Sequence, residues 1–99
     1  MVHRVYFTRS AQDDFQSIID FIAADNPGRA LSFVDDLQRR AVKLLADFPR
    51  TGRQYGSFHY LVFGNYILAY DIDDAARAVH ILLVTEGHRL WQELLTERS

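Results

Sequence analysis

The spacing of hydrophobic side chains changes near residue 50, and this change limits the fold more than any other feature of the chain. Before it, apolar residues recur every three or four positions, as on one face of a helix; after it, they alternate or run together, as in strands. This grouping is typical of α+β folds. We predict the order β-α-α-β-β-β-(α), with a small, mostly antiparallel sheet packed against an antiparallel helical hairpin.

The first half of the chain predicts one strand and two helices. His3 to Phe7 alternates as a strand does, and Ser10 has the capping-box spacing that marks the start of a helix. A second helix is expected from Pro27, because Asn26 is a favourable cap and proline is tolerated in a first helical turn. It should end at Pro49, and the short link between the helices predicts a hairpin.

The second half of the chain predicts three strands. Ser57 to Phe63 and Tyr66 to Ile72 flank Gly64-Asn65, which is typical of a type II′ turn, and Pro49 to Gly56 is expected to be a loop. Ala78 to Thr85 is an almost unbroken apolar run, which predicts a central strand covered on both faces. Helical spacing then indicates a short terminal helix or docked tail containing Leu90, Trp91, Leu94 and Leu95.

Length and composition restrict the possible functions. The 99 residues are expected to form a single domain, 1–99, and the lack of cysteine excludes disulfides and thiol nucleophiles. No apolar run reaches the roughly 18 residues that a membrane span needs, so we expect a cytoplasmic protein with no membrane contact. A net charge of −2 weighs against direct nucleic-acid binding, which usually requires a surplus of lysine and arginine.

The four histidines lack the spacing of a metal site. We expect His3 to be solvated and His59 to lie at the surface of an edge strand. His80 falls within the apolar run, where a half-buried, hydrogen-bonded ring is expected. The glycines are also too scattered for a phosphate-binding loop. The sequence therefore predicts neither a metal site nor a cofactor site.

Four segments of the chain are similar to those of a known toxin family. They are the opening Phe7–Phe15, the end of the second helix at Leu44–Arg53, the hairpin Phe63–Tyr70, and the last strand Ile81–Val84 with Gly87 and Arg89. The Leu44–Arg53 segment, with its Phe-Pro and Gly-Arg pairs, is the most specific of the four. Together they resemble the ParE/RelE toxin superfamily, and most closely its ParE branch of plasmid stabilisation proteins.

The resemblance implies the RelE/ParE-like fold and the role of toxin in a type II toxin–antitoxin system. For the ParE branch it implies a cytoplasmic protein that binds and inhibits DNA gyrase, and that a ParD-like antitoxin neutralises. A degenerate toxin, which only binds its antitoxin and co-represses the promoter, is an alternative that the residues leave open.

The RelE branch implies a different activity, because its members cut messenger RNA on the ribosome. That reaction needs a base for the 2′-hydroxyl, cations for the phosphorane charge and an acid for the leaving oxygen. The candidates for these roles are Arg53, His59, Glu86, His88 and Arg89. The predicted strands carry no lysine, however, since the single lysine of the chain, Lys43, belongs to the second helix. We therefore expect a binding protein without catalytic residues and keep the ribonuclease as the alternative.

The side chains expected to bind the antitoxin or the target are Phe21, His59, Arg89 and Trp91. Phe21 lies off the centre of its apolar stripe, so it is expected to be exposed. Trp91 has two interpretations, as a lid over the core or as an anchor in an interface. Tyr66 and Tyr70 share one face of their strand, where packing into the core is favoured over the stacking of bases.

Overall fold

The computed structural model describes residues 2–87 and 90–98 and confirms the predicted α+β fold. The elements are β1 (Arg4–Phe7), α1 (Arg9–Asp25), α2 (Pro27–Asp47), β2 (Arg53–Tyr55), β3 (Phe58–Phe63), β4 (Tyr66–Asp73), β5 (Ala78–Glu86) and α3 (Trp91–Arg98). The five strands form one sheet in the order β1-β5-β4-β3-β2. Only β1 is parallel to its neighbour, so the sheet is mostly antiparallel.

The two long helices begin at side-chain caps. Asn26 caps α2 as predicted, because its Oδ1 accepts a hydrogen bond from the Arg29 amide at 3.1 Å. The prediction that Ser10 caps α1 is wrong, since the cap is Thr8 and the helix begins at Arg9. The Thr8 hydroxyl accepts from the Ala11 amide at 3.2 Å and donates to the Ile81 carbonyl at 2.9 Å. Thr8 follows β1 directly, which places its hydroxyl between β5 and the helix end.

The helical hairpin packs on one face of the sheet and forms the larger part of the core. The apolar stripes of α1 and α2 meet side chains of β4 and β5 in a cluster that includes Phe15, Val34, Leu37, Leu45, Leu68, Tyr70 and Ile81. Tyr70 is fully buried and Tyr66 packs against the same cluster, which confirms the prediction that these tyrosines belong to the core.

Strand β5 is an interior strand of the sheet, between β1 and β4, and it is covered on both faces, as its apolar sequence predicted. The second cover is α3, which packs Trp91 and Leu95 against Ile67, Ala69 and Leu83 on the face opposite the hairpin. The pairing of β4 with β5 shifts register in this region: Ala69 pairs with Leu83, whereas the next residue, Tyr70, pairs with Ile81. Leu82 is thus the extra residue of a β-bulge.

Strand β2 was missed in the sequence, where Pro49 to Gly56 was predicted to be a loop. Its three residues are exposed, so no alternation of burial marks them, yet they pair with β3. His59 therefore does not lie on an edge strand, which corrects that prediction. The preceding Gly52 is required by packing: a Cβ there would lie 2.5 Å from the Tyr70 hydroxyl oxygen, to which the Gly52 amide donates at 3.0 Å.

The turn between β3 and β4 agrees with the prediction of a type II′ hairpin. Gly64 adopts φ +59° and Asn65 is not among the described residues with positive φ. Among the described helices, none is long and apolar enough to cross a membrane.

Replacing Leu37 by alanine tests whether the predicted face of α2 carries the fold. Leu37 is 3% exposed, and its loss removes buried surface and leaves a cavity, so we expect Leu37→Ala to lower the free energy of unfolding by about 2–5 kcal/mol. Leu31→Ala, at a position of the same helix that is 67% exposed, is the matched control and should change it by less than about 0.5 kcal/mol. Equal effects in urea denaturation would contradict the assigned face.

Candidate functional site

An ion pair between α1 and α3 hydrogen-bonds to the backbone of β5 on the side where β1 ends. Strand β1 pairs with β5 only as far as Ile81, so the second half of β5 has no strand neighbour on that side. There the Asp14 carboxylate accepts from the Val84 amide at 2.9 Å and from the Arg98 guanidinium at 2.5 Å. Arg98 also donates to the carbonyl of the bulged Leu82 at 3.0 Å. The pair thus replaces the hydrogen bonds that a sixth strand would make.

The pair is largely removed from solvent, which sets its electrostatics. The side chains of Arg98 and Asp14 are 19% and 17% exposed. The hydrogen bond that Arg98 donates to Asp14, and then the negative charge of that carboxylate, raise the pKa of Arg98, so the guanidinium keeps its proton at neutral pH. A paired, hydrogen-bonded charge of this kind fixes geometry, and here it fixes the position of α3 on the sheet.

A cleft opens beside this ion pair, between α1 and the adjoining ends of β4 and β5. It has a volume of about 350 Å³, and we call it the α1–β5 cleft; its lining residues are Asp14, Ser17, Ile18, Phe21, Tyr66, Val84, Thr85 and Glu86. Phe21 stands at its rim and is 67% exposed, as predicted. Burial raises the pKa of Tyr66, and the negative charge of Glu86 raises it further, so the phenol keeps its proton at neutral pH.

Trp91 is a lid over the core, which decides between its two interpretations. Its indole is 6% exposed and belongs to the α3 cluster. The ring lies 4.8 Å from that of Tyr60 and 5.3 Å from that of Tyr55, measured between centroids. The expectation of Trp91 as an anchor displayed on the free chain is therefore corrected, because α3 turns the indole towards the sheet.

Of the candidate ribonuclease residues, the three that the structure describes are not brought together by the sheet. Arg53 pairs with Tyr60, so it shares the α3 side of the sheet, whereas His59 pairs with Tyr70 and stacks on its ring at 5.7 Å on the hairpin side. Glu86 pairs with Tyr66 at the other end of β4. Four residues along a strand and two strands across separate His59 from Glu86 by on the order of 15 Å. The remaining candidates, His88 and Arg89, lie outside the described residues.

The other histidines have structural surroundings. The prediction that His3 is solvated is wrong: its Nε2 lies 3.5 Å from Asp74, which also pairs with Arg50. The hydrogen bond from Arg50 holds the pKa of Asp74 below its ordinary value. His80 is half-buried as predicted and stacks on Tyr6 at 5.5 Å. Within 2–87 and 90–98, no three histidine or acidic side chains are grouped as a metal ion would need.

Comparison with known proteins gives the family of the chain. Residues 5–91 match the model of the ParE toxin of the parDE type II toxin–antitoxin system. The chain belongs to the ParE toxin family. No curated protein matches it.

Solved structures agree with the ParE assignment at the level of the fold. A chain of the chromosomal ParDE toxin–antitoxin system of P. aeruginosa matches with a TM-score of 0.74 and 20% identity, over 86% of this chain and 96% of that one. A RelBE toxin–antitoxin complex from Mycobacterium tuberculosis matches with a TM-score of 0.67 and 22% identity, over 90% and 95%. A mutant E. coli RelE toxin in the free state matches with a TM-score of 0.66 and 13% identity, over 99% and 94%.

The ion pair of this ParE-family chain was missed in the sequence. Asp14 stands three residues after Ala11 and four before Ile18, so it borders the apolar stripe of α1. This position was the one sequence feature that could have indicated a partly buried carboxylate. The sequence did not indicate the role of Arg98, because its ion pair with Asp14 depends on where α3 packs against the sheet.

Removing the indole of Trp91 tests the lid interpretation. Because the side chain is buried against the sheet, Trp91→Ala should lower the free energy of unfolding of the ParE-family chain by about 3–5 kcal/mol. The neighbouring Leu90 is 71% exposed, and Leu90→Ala should change it by less than about 0.5 kcal/mol. Thermal melts of the two variants make the comparison. A Trp91→Ala melt that matches the unmodified chain would reject the lid.

Proposed function

We propose that this ParE-family chain inhibits its target by binding it, that the target is DNA gyrase, and that a ParD-like antitoxin neutralises the toxin. The observation that supports binding over catalysis is the separation of the three described ribonuclease candidates, Arg53, His59 and Glu86. A ribonuclease needs its base, its acid and its cations around one phosphate, within hydrogen-bond reach of the reacting atoms. Here Arg53 and His59 face opposite sides of the sheet, and Glu86 lies at the other end of β4.

The charge of the α1–β5 cleft also supports a protein partner. Of its described lining residues, two are carboxylates and none is lysine, arginine or histidine. Asp14 is paired with Arg98, so a phosphate group would meet the negative charge of Glu86 there, whereas cleavage of RNA requires cations that stabilise the developing phosphorane. A cleft of this charge is suited to a neutral or basic segment of another protein.

The solved relatives support an antitoxin as one partner. One belongs to a ParDE system and another is a RelBE toxin–antitoxin complex, so related folds are found together with antitoxins. We propose that this chain likewise has a cognate antitoxin, and that both act in the cytoplasm, where a gyrase would be reached. No cofactor enters this proposal.

Two assays run side by side test the proposed activity. The purified chain should inhibit supercoiling of plasmid DNA by gyrase, and it should not cut messenger RNA on programmed ribosomes. The double variant His59→Gln/Glu86→Gln should retain growth inhibition within a few-fold, because no proton transfer is lost. Ribosome-dependent cleavage that falls by about 10²-fold or more in this variant would establish the ribonuclease instead. A chain that is inactive in both assays but binds its antitoxin would be the degenerate toxin.

A further inference from the structure

The rim of the α1–β5 cleft carries an aromatic ring that the fold does not use. Phe21 is 67% exposed, although Ile18, one turn earlier on α1, is buried in the core. An exposed phenylalanine costs free energy in water, and its burial in an interface recovers it. The ring is part of the lining of the cleft, so a side chain bound there lies within its reach.

The lining of the cleft includes one carboxylate, that of Glu86, which has no ion-pair partner among the described residues. The other acidic side chain of the cleft, Asp14, is already occupied by Arg98 and the Val84 amide. Glu86 is half-buried, and among residues 2–87 and 90–98 no lysine, arginine or histidine forms an ion pair with it. Burial raises the pKa of the half-buried Tyr66, which also lines the cleft, and the negative charge of Glu86 raises it further. A partly desolvated carboxylate of this kind gains more from a cation than an exposed one does.

An arginine side chain could contact the Phe21 ring and the Glu86 carboxylate at the same time. Its planar guanidinium can stack on an aromatic face and donate two parallel hydrogen bonds to a carboxylate, whereas lysine is a point charge with a rounder head. The volume of about 350 Å³ is sufficient for one such side chain. We propose that the α1–β5 cleft binds an arginine of the antitoxin, stacked on Phe21 and paired with Glu86.

The charge of α1 favours the approach of a basic segment to this cleft. The helix carries the four acidic residues Asp13, Asp14, Asp20 and Asp25 against the single basic residue Arg9. Complementary charge of this kind raises the rate of association and selects partners. The inference rests on the proposed function, because an antitoxin is the partner that the family relation supports.

Two tripeptides test whether the cleft binds arginine, and the test does not require the antitoxin to be known. Acetyl-Leu-Arg-Leu-amide, titrated into the ¹⁵N-labelled chain at low salt, should shift the amide signals of Phe21 and Glu86 and saturate in the millimolar range. The citrulline analogue keeps the shape of arginine but lacks its charge, and it should leave these signals unchanged. Equal shifts with both peptides, or shifts confined to other regions, would overturn the proposal.

Three variants define the site in the same titration. Glu86→Gln and Phe21→Ser should each weaken binding of the arginine peptide about tenfold, with unchanged thermal melts. The matched control is Asp47→Asn, which removes one negative charge at the end of α2, next to Ala46, whose carbonyl accepts from the His3 amide, and outside the lining of the cleft. It should leave the affinity unchanged. A tenfold loss in the control as well would mean that net charge, not the cleft, binds the peptide.

The antitoxin provides the second part of the test. The product of the reading frame adjacent to the toxin gene is titrated against the unmodified chain, Glu86→Gln and Asp47→Asn. We expect about tenfold weaker binding for Glu86→Gln alone, and we expect the preformed complex to exclude the arginine peptide. If the antitoxin binds but neither result follows, the inference is wrong and the proposed function stands. If no reading frame supplies a binding protein, the proposed function fails, and so does the assignment of the antitoxin as occupant.

Discussion

Strand β5 carries apolar side chains on both of its faces, and the rest of the molecule is arranged to cover them. One face requires the helical hairpin, whose stripes bury Val79, Ile81 and Val84. The other requires α3, which buries Leu83 under Trp91 and Leu95. A sheet strand that is apolar on both faces cannot lie at an edge in water. The position of β5 between β1 and β4 follows from this constraint.

The same constraint explains where the polar groups are found. Because β1 is only four residues long, half of β5 has exposed backbone groups on one side, and Asp14 and Arg98 satisfy them. The core occupies both faces of the middle of the sheet, so side chains that can bind a partner remain at the periphery. Phe21 and Glu86 lie at one end of the sheet, and Arg53 lies on the short strand β2.

The elements that depend on local sequence were predictable. The start of α2 at Pro27 follows from its cap, and the interior position of β5 follows from its unbroken apolar run. The errors arise where a distant contact decides the outcome. The cap of α1 is Thr8 and not the predicted Ser10, because the Thr8 hydroxyl also donates to β5. Strand β2 pairs with β3, although its exposed residues show no alternation of apolar and polar side chains. The environment of His3 depends on Asp74, which no sequence spacing connects to it. Family resemblance gave the fold, but the separation of Arg53, His59 and Glu86 required strand register.

We propose that this toxin acts by occupying its target, and the stoichiometry of inhibition tests that proposal most directly. Gyrase is held well above the dissociation constant of the complex and titrated with the purified chain, while the remaining supercoiling activity is measured. Occupancy predicts a linear fall that ends at a fixed ratio of toxin to gyrase and does not deepen with time. Inhibition by a small fraction of one equivalent that grows with incubation would show turnover, and it would contradict the proposal.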